Sequence, residues 1–179
     1  LPEGTSGNLQ LSFAFPGRAS PERARFRQLG DASMRMKPVL TLDDAKKLLA
    51  AAEEEAGRNG WEVVIALLND GGRIVALHRM DGARPGNDQI AIAKANTSAM
   101  TCRPSRVWEK WVDGPHKAYA TFPFIAAQGG LPIIIDGELI GAIGVSGVKA
   151  FEDEQIAMFA VKTVFPGAAT TRAGEENDA

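Results

Sequence analysis

The sequence predicts an α/β domain of the α+β type, a mostly antiparallel sheet with helices packed beside it. Two hairpin patterns and the helical stretches between them carry this reading, because strands arriving in adjacent pairs do not suit a doubly wound parallel sheet. The first hairpin pattern is an apolar run at 61–68 containing Val63, Val64 and Ile65, then Asn69-Asp70-Gly71-Gly72, then a return strand at 73–80. Glycine there supplies the positive φ that a tight turn needs. The second runs from Pro132 through Ile135, turns at Asp136-Gly137 and returns over 138–147. Its return strand carries Gly141, Gly144 and Gly147, and glycine weakens a strand. That spacing predicts close approach by a backbone, a helix or a ligand.

The remaining elements follow in order. Thr41 is placed to cap a helix in which Leu42, Ala45, Leu48, Leu49, Ala52 and Ala56 step by threes and fours, with Gly57 and Gly60 ending it. Asn87 or Asp88 is placed to cap a second helix at 89–100. Pro104 suits the first turn of a third, with Val107, Trp108, Trp111 and Val112 as its apolar stripe and Gly114-Pro115 as its stop. A further strand is expected near 122–127. A last helix is expected at 151–164, with Ile156, Phe159, Ala160 and Thr163 at helical spacing.

Composition bounds the function. The 179 residues are 45% hydrophobic and 23% charged, enough apolar content for one continuous core. The domain is expected at 36–166. Before it lies an N-terminal extension at 1–35, an arm or leader remnant rich in Gly, Pro, Ser and Arg; after it, a loose C-terminal tail at 167–179. A net charge of −2 offers no general field for nucleic acid or anionic lipid, so neither is expected as a partner. Lone Cys102 excludes an internal disulfide, and one Cys with two His is too few for a closed zinc site. No apolar run is long enough to span a membrane, and the first residues lack the basic-then-apolar order of a secretory signal. A cytoplasmic location is therefore expected over a secreted one.

Several side chains are candidates for chemistry. In His78-Arg79-Met80-Asp81, strand alternation puts Arg79 and Asp81 on one face. Arg79 has the planar fork that suits a carboxylate; the structural alternative is an Arg79–Asp81 pair holding the loop. Lys94 lies within an otherwise apolar helical stretch. Turned inward it is a candidate base or anion ligand, and turned outward it is a solvated lysine. Gly129 and Gly130 before the second hairpin, with Gly144, Ser146 and Gly147 closing it, are candidate ligand contacts through exposed backbone N–H groups. Neither segment is a phosphate loop, and Ser146 does not sit in a nucleophile elbow. His78 and His116 are the two imidazoles available to iron, with Met80, Met100 and Cys102 as soft alternatives that otherwise read as core filling.

Taken together, these segments resemble the GlcG/HbpS-like family, the haem-degrading domain family that includes the C-terminal domain of PduO. The matching stretches are Leu40-Thr41-Leu42-Asp43-Asp44-Ala45, Asp70-Gly71-Gly72, Arg79-Met80-Asp81-Gly82-Ala83, Lys94-Ala95, and Gly129-Gly130-Leu131-Pro132-Ile133. Residues 136–147 and the Asp153-Glu154 helix start complete them. The resemblance covers 36–164. It implies a mostly antiparallel five-stranded sheet, self-association into dimers and often octamers, and haem or another tetrapyrrole as ligand, with no other cofactor. Three functions stand on this basis. One is a haem or tetrapyrrole-binding protein, with His78, His116 or Met80 on the iron and Arg79 or Lys94 on the propionates. The second is a cofactor-independent enzyme of lyase or isomerase type for a small carboxylated or carbonyl metabolite, using Arg79, Asp81 and Lys94. The third is a structural or accessory subunit.

Overall fold

The computed structural model describes residues 36–173. The chain divides into two units, Leu1–Met36 and Lys37–Ala179; the extension expected at 1–35 and residues 174–179 lie outside the described residues.

Helix α1, Leu42–Asn59, begins where Thr41 is placed to cap it. The Thr41 hydroxyl accepts the N–H of Asp44 at 3.2 Å while the Asp44 carboxylate accepts the N–H of Thr41 at 3.3 Å, a reciprocal cap. Gly60, at φ 68°, closes the other end. Ala45, Leu48, Leu49, Ala52 and Ala56 are fully buried as their spacing predicts, whereas Leu42, in the first turn, is 52% exposed.

Strands β1 (Val64–Asn69) and β2 (Ile74–Arg79) form the first hairpin. Asn69 Oδ1 accepts the N–H groups of Gly71 and Arg73 at 3.0 and 2.9 Å, so the asparagine itself shapes the turn. Strands β3 (Gly130–Ile135) and β4 (Glu138–Ser146) form the second, where Asp136 and Gly137 both have positive φ, 51° and 77°. That pair of angles is the type I′ turn whose twist matches a hairpin. The sheet order is β2-β1-β4-β3, antiparallel throughout.

The sheet thus has four strands among the described residues, not the five expected. Residues 122–127 are irregular. Their backbone groups are taken up by helix side chains: the Thr97 hydroxyl accepts the N–H of Ile125 at 3.1 Å, and the Ser105 hydroxyl donates to the carbonyl of Ala127 at 2.7 Å. Pro123 further disfavours a ladder. The outer edge of β3 is met instead by Ala169, which exchanges backbone hydrogen bonds with Ile134 at 2.9 and 3.0 Å. The segment expected as a loose tail from 167 therefore starts with Ala168 buried and Ala169 bridged to the sheet.

Helix α2 (Asn87–Thr101) starts from Gly86 at φ 89° with no side-chain cap, so Asn87 and Asp88, expected as caps, occupy its first turn. Helix α3 (Ser105–Asp113) follows Pro104 and is succeeded by a short 3-10 turn, Lys117–Thr121; helix α4 spans Ala150–Val164. Three layers result. On one face of the sheet, Ile65, Leu67, Leu131, Ile133, Ile143 and Val145 pack with α1 and α4. On the other, Val64, Ala66, Leu68 and Ala142 meet Ala91, Ala95 and Ala99 of α2. Covering both faces makes β1 read as a continuous apolar run instead of an alternating one.

The α2 layer is thin because small residues face each other. A Cβ at Gly144 would lie 2.6 Å from the Ala95 backbone nitrogen, and one at Gly130 would lie 2.7 Å from the Lys94 carbonyl carbon. Of the glycines spaced along and just after β4, Gly144 therefore marks a helix pressed onto the sheet, whereas a Cβ at Gly141 would meet Leu40 and the Leu68 backbone and one at Gly147 would meet Glu62 and Val63.

Candidate functional site

That close approach carries Lys94 inward. Its ammonium lies 2.7 Å from Asp153 Oδ2 in the first turns of α4, and the two side chains are only 4% and 2% exposed. Asp153 Oδ1 accepts the N–H of Val148 at 3.2 Å, and the backbone of Gly147 also hydrogen-bonds the carboxylate. Gly129, at φ 121°, leaves room for the pair: a Cβ there would fall 2.9 Å from both Lys94 Nζ and Asp153 Cβ. Lys94 is thus neither solvated nor open to a ligand. Gly129, Gly130 and Gly147 surround the pair or the helix carrying it, Gly144 lies beneath α2, and Ser146 is buried on β4 opposite Val64.

One residue further along α4, Glu154 faces α3 and pairs with Arg106. The oxygen not used in this pair, Oε2, is buried without a hydrogen-bond partner, as is Ser98 Oγ, four residues beyond Lys94. Helix α3 also pins the 127–130 loop. The Ser105 hydroxyl accepts the N–H of Gly130 at 2.8 Å and Glu109 accepts the N–H of Gln128 at 2.9 Å. Between them opens a cleft of about 510 Å3 lined by Arg106, Glu109, Lys110, Asp113, Gly114 and Gln128. None of these residues stood out in the sequence as a candidate for chemistry, Gly114 reading only as a helix stop. Asp153 and Glu154 sit where acids commonly complement a helix dipole, which masks their role as partners of buried cations. A lysine amid alanines did hold a signal, since a lysine buried that deeply requires an opposite charge somewhere in the chain.

The other predicted residues lie elsewhere. Arg79 and Asp81 are exposed, and Arg79 donates to the carbonyl of Ala83 at 2.8 Å instead of pairing with Asp81. Lys94 is enclosed with Asp153 while Arg79 and Asp81 lie at the surface, so the grouping of these three in one pocket is not assembled. His78 is exposed, with Nδ1 2.8 Å from Glu53 Oε1. His116, also exposed, stacks on Tyr119 at 5.3 Å and 19° and meets the edge of Trp111. Met80 packs against the core, Met100 is 62% exposed, and Cys102 ends α2 at φ 53°. Among the described residues, no group of three or more His, Cys, Asp or Glu could hold a metal ion, and no helix is long and apolar enough to cross a membrane.

Burial pushes the carboxyl groups of both Asp153 and Glu154 above their ordinary values of 3.8 and 4.5, and Lys94 and Arg106 respectively offset this only in part. The folded state then holds protons that the unfolded chain has released. Stability from these two groups is fullest below those ordinary values and declines as pH rises through the elevated ones, the reverse of the usual paired carboxylate. Urea unfolding of the wild type and Glu154→Gln from pH 4 upward should give a shallower decline for the variant. Parallel curves would refute the assignment.

The described residues define a three-layer domain on an antiparallel sheet, with a lysine–aspartate pair buried where the second helix, the loop before the second hairpin and the last helix converge. The chain belongs to the HbpS-like family, whose model, described as haem degrading protein HbpS-like, matches residues 40–162. Protein GlcG of Escherichia coli (strain K12) is 40% identical over 114 residues, 63% of this chain and 85% of that protein. The crystal structure of HbpS is 28% identical, with a TM-score of 0.67 over 74% of this chain and 94% of that one. A PduOC:heme complex, 24% identical, shares the fold at a TM-score of 0.68 over 75% of this chain and the whole of the other.

Proposed function

We propose that this protein binds haem or a related tetrapyrrole. Membership of the HbpS-like family across 40–162 carries the reading, and the chemistry of one surface supports it. A tetrapyrrole needs an apolar platform, an axial donor for its metal and cations for its propionates. His116 supplies an exposed imidazole stacked on Tyr119, with Trp111 and the half-exposed Phe122 extending the aromatic surface and exposed Lys117 adjacent in sequence. His116 would ligate iron, the rings would cover the macrocycle, and Lys117 would meet a propionate. Bound haem would supply iron-centred ligand or redox chemistry. His78 is the second candidate ligand; its hydrogen bond to Glu53 fixes Nδ1 and leaves Nε2 for a metal. Arg79, the next residue of the strand, points to the opposite face and donates to the carbonyl of Ala83, so it is withdrawn from the propionate role. Lys94 is withdrawn from this role because Asp153 holds it in the interior.

Hemin titration should give a saturable, shifted Soret band at about one haem per chain. His116→Ala should abolish the shift and His78→Ala should preserve it. Flat absorbance would remove the haem reading, and the opposite result for the two variants would move the ligand to His78. Self-association into dimers and larger assemblies belongs to the same proposal, supported by the exposed apolar side chains of Met100 and Phe122. Light scattering on the titrated sample reads the mass directly. The enzyme reading is not favoured, since Arg79 and Lys94 are each engaged elsewhere.

A further inference from the structure

We propose that the cleft between α3 and the 127–130 loop binds a small carboxylate bearing a neighbouring hydroxyl or amino group, with Arg106 as the carboxylate anchor. The residues of α3 that line it, Arg106, Glu109, Lys110 and Asp113, are spaced i, i+3, i+4 and i+7 and so form one stripe. Its i, i+4 neighbours, Arg106 with Lys110 and Glu109 with Asp113, carry like charges, and its opposite-charge i, i+3 neighbours, Arg106 with Glu109 and Lys110 with Asp113, are not drawn into ion pairs with each other. Among the described residues, Glu109, Lys110 and Asp113 form no ion pair, and Arg106 pairs only with Glu154 on another helix.

That pair fixes Arg106 from behind. Glu154 is 8% exposed and holds Arg106 through Oε1, the Gln128 side chain also approaches its carboxyl group, and Oε2 is buried without a hydrogen bond of ordinary geometry. A buried carboxylate with an empty acceptor is a poor way to gain stability. It is a good way to hold a guanidinium at a cleft wall, because the other donors of the five-donor fork remain for a ligand. Across the cleft, Glu109 holds the N–H of Gln128 through Oε2, which orders the opposite wall and leaves Oε1 as an acceptor.

The charge balance selects the ligand. Two cations and two carboxylates line the cleft. Phosphate would bring its double charge against Glu109 and Asp113, and a simple amine would face Arg106 and Lys110. A carboxylate with an adjacent O–H or N–H donor satisfies both signs at once. A volume of about 510 Å3 suits a small molecule. On the helical wheel the cleft lies opposite Trp108 and Trp111, so this site is separate from the aromatic surface carrying His116.

Calorimetric titration with lactate and alanine, against propionate and inorganic phosphate, tests the assignment. Saturable binding of lactate or alanine is expected, about tenfold or more tighter than propionate, with none for phosphate. Arg106→Gln should abolish it. Should that variant fail to fold, Glu109→Gln, which keeps an acceptor for Gln128, should bring lactate and propionate closer together in affinity. His116→Ala should leave carboxylate binding unchanged, so loss of the haem site and loss of this one are distinguishable. Absence of saturable binding by both lactate and alanine, equal binding of lactate and propionate, or wild-type affinity in folded Arg106→Gln would overturn the proposal.

Discussion

Replacing Lys94 by alanine should destabilise the domain by about 3–5 kcal/mol at neutral pH, because it strands the Asp153 carboxylate in the interior without its counter-charge. The pH dependence separates this cause from lost packing. Asp153 is already held above its ordinary value by burial, and removing Lys94 withdraws the force that opposes the rise. As pH falls, the carboxyl group takes up a proton and the penalty should shrink; a cavity would cost the same at every pH. Lys94→Met combined with Asp153→Asn, which retains an acceptor for the Val148 N–H, should lie nearer the wild type than either single variant. Urea unfolding at two pH values measures the wild type, Lys94→Ala, the two single variants and the double variant. A loss below about 1 kcal/mol for Lys94→Ala would mean that the pair contributes no more than a surface salt bridge.

Alanine at Gly144 should cost about 1–3 kcal/mol, and valine more, because the added carbon meets the backbone of α2, which cannot rotate aside as a side chain can. Gly130→Ala should behave alike, against the Lys94 carbonyl. Gly57 is the internal control. It lies inside α1 with nothing within 4 Å of an added Cβ, so alanine there should stabilise by about 0.5–1 kcal/mol. Thermal unfolding of the three variants reads the contrast directly. Equal effects at Gly57 and Gly144 would show that glycine acts through chain entropy alone and not through the contact between helix and sheet.

Much of the fold was legible because it is written in neighbouring residues. The Asp136-Gly137 turn, the Asn69 side chain shaping the first hairpin and the Thr41 cap each depend on groups within a few positions of one another. The expectations that failed depended on tertiary competition. A strand at 122–127 requires a free ladder partner, and the hydroxyls of Thr97 and Ser105 reached that backbone first. Asn87 and Asp88 are good capping residues in isolation, yet Gly86 takes the cap position in a left-handed conformation. Leu42 continues the apolar spacing of α1, but it lies at the end of the stripe and is half exposed.

The candidate site was legible only in part. Glycines at 141, 144 and 147 signal close approach, Gly129 and Gly130 read as ligand contacts, and Lys94 reads as either inward or solvated. The partner of Lys94 lies 59 residues away in sequence, and Arg106 and Glu154 are 48 apart. Periodicity and turn chemistry are short-range, so the sequence by itself determined the hairpins, the helices and the glycine-lined seam. Which charges meet across that seam is settled by how three layers pack, because the free energy of a buried ion depends on the whole surrounding cavity. The tertiary structure therefore decided that Lys94 joins Asp153, that Arg79 and Asp81 stay at the surface, and that an arginine on a short amphipathic helix faces a cleft.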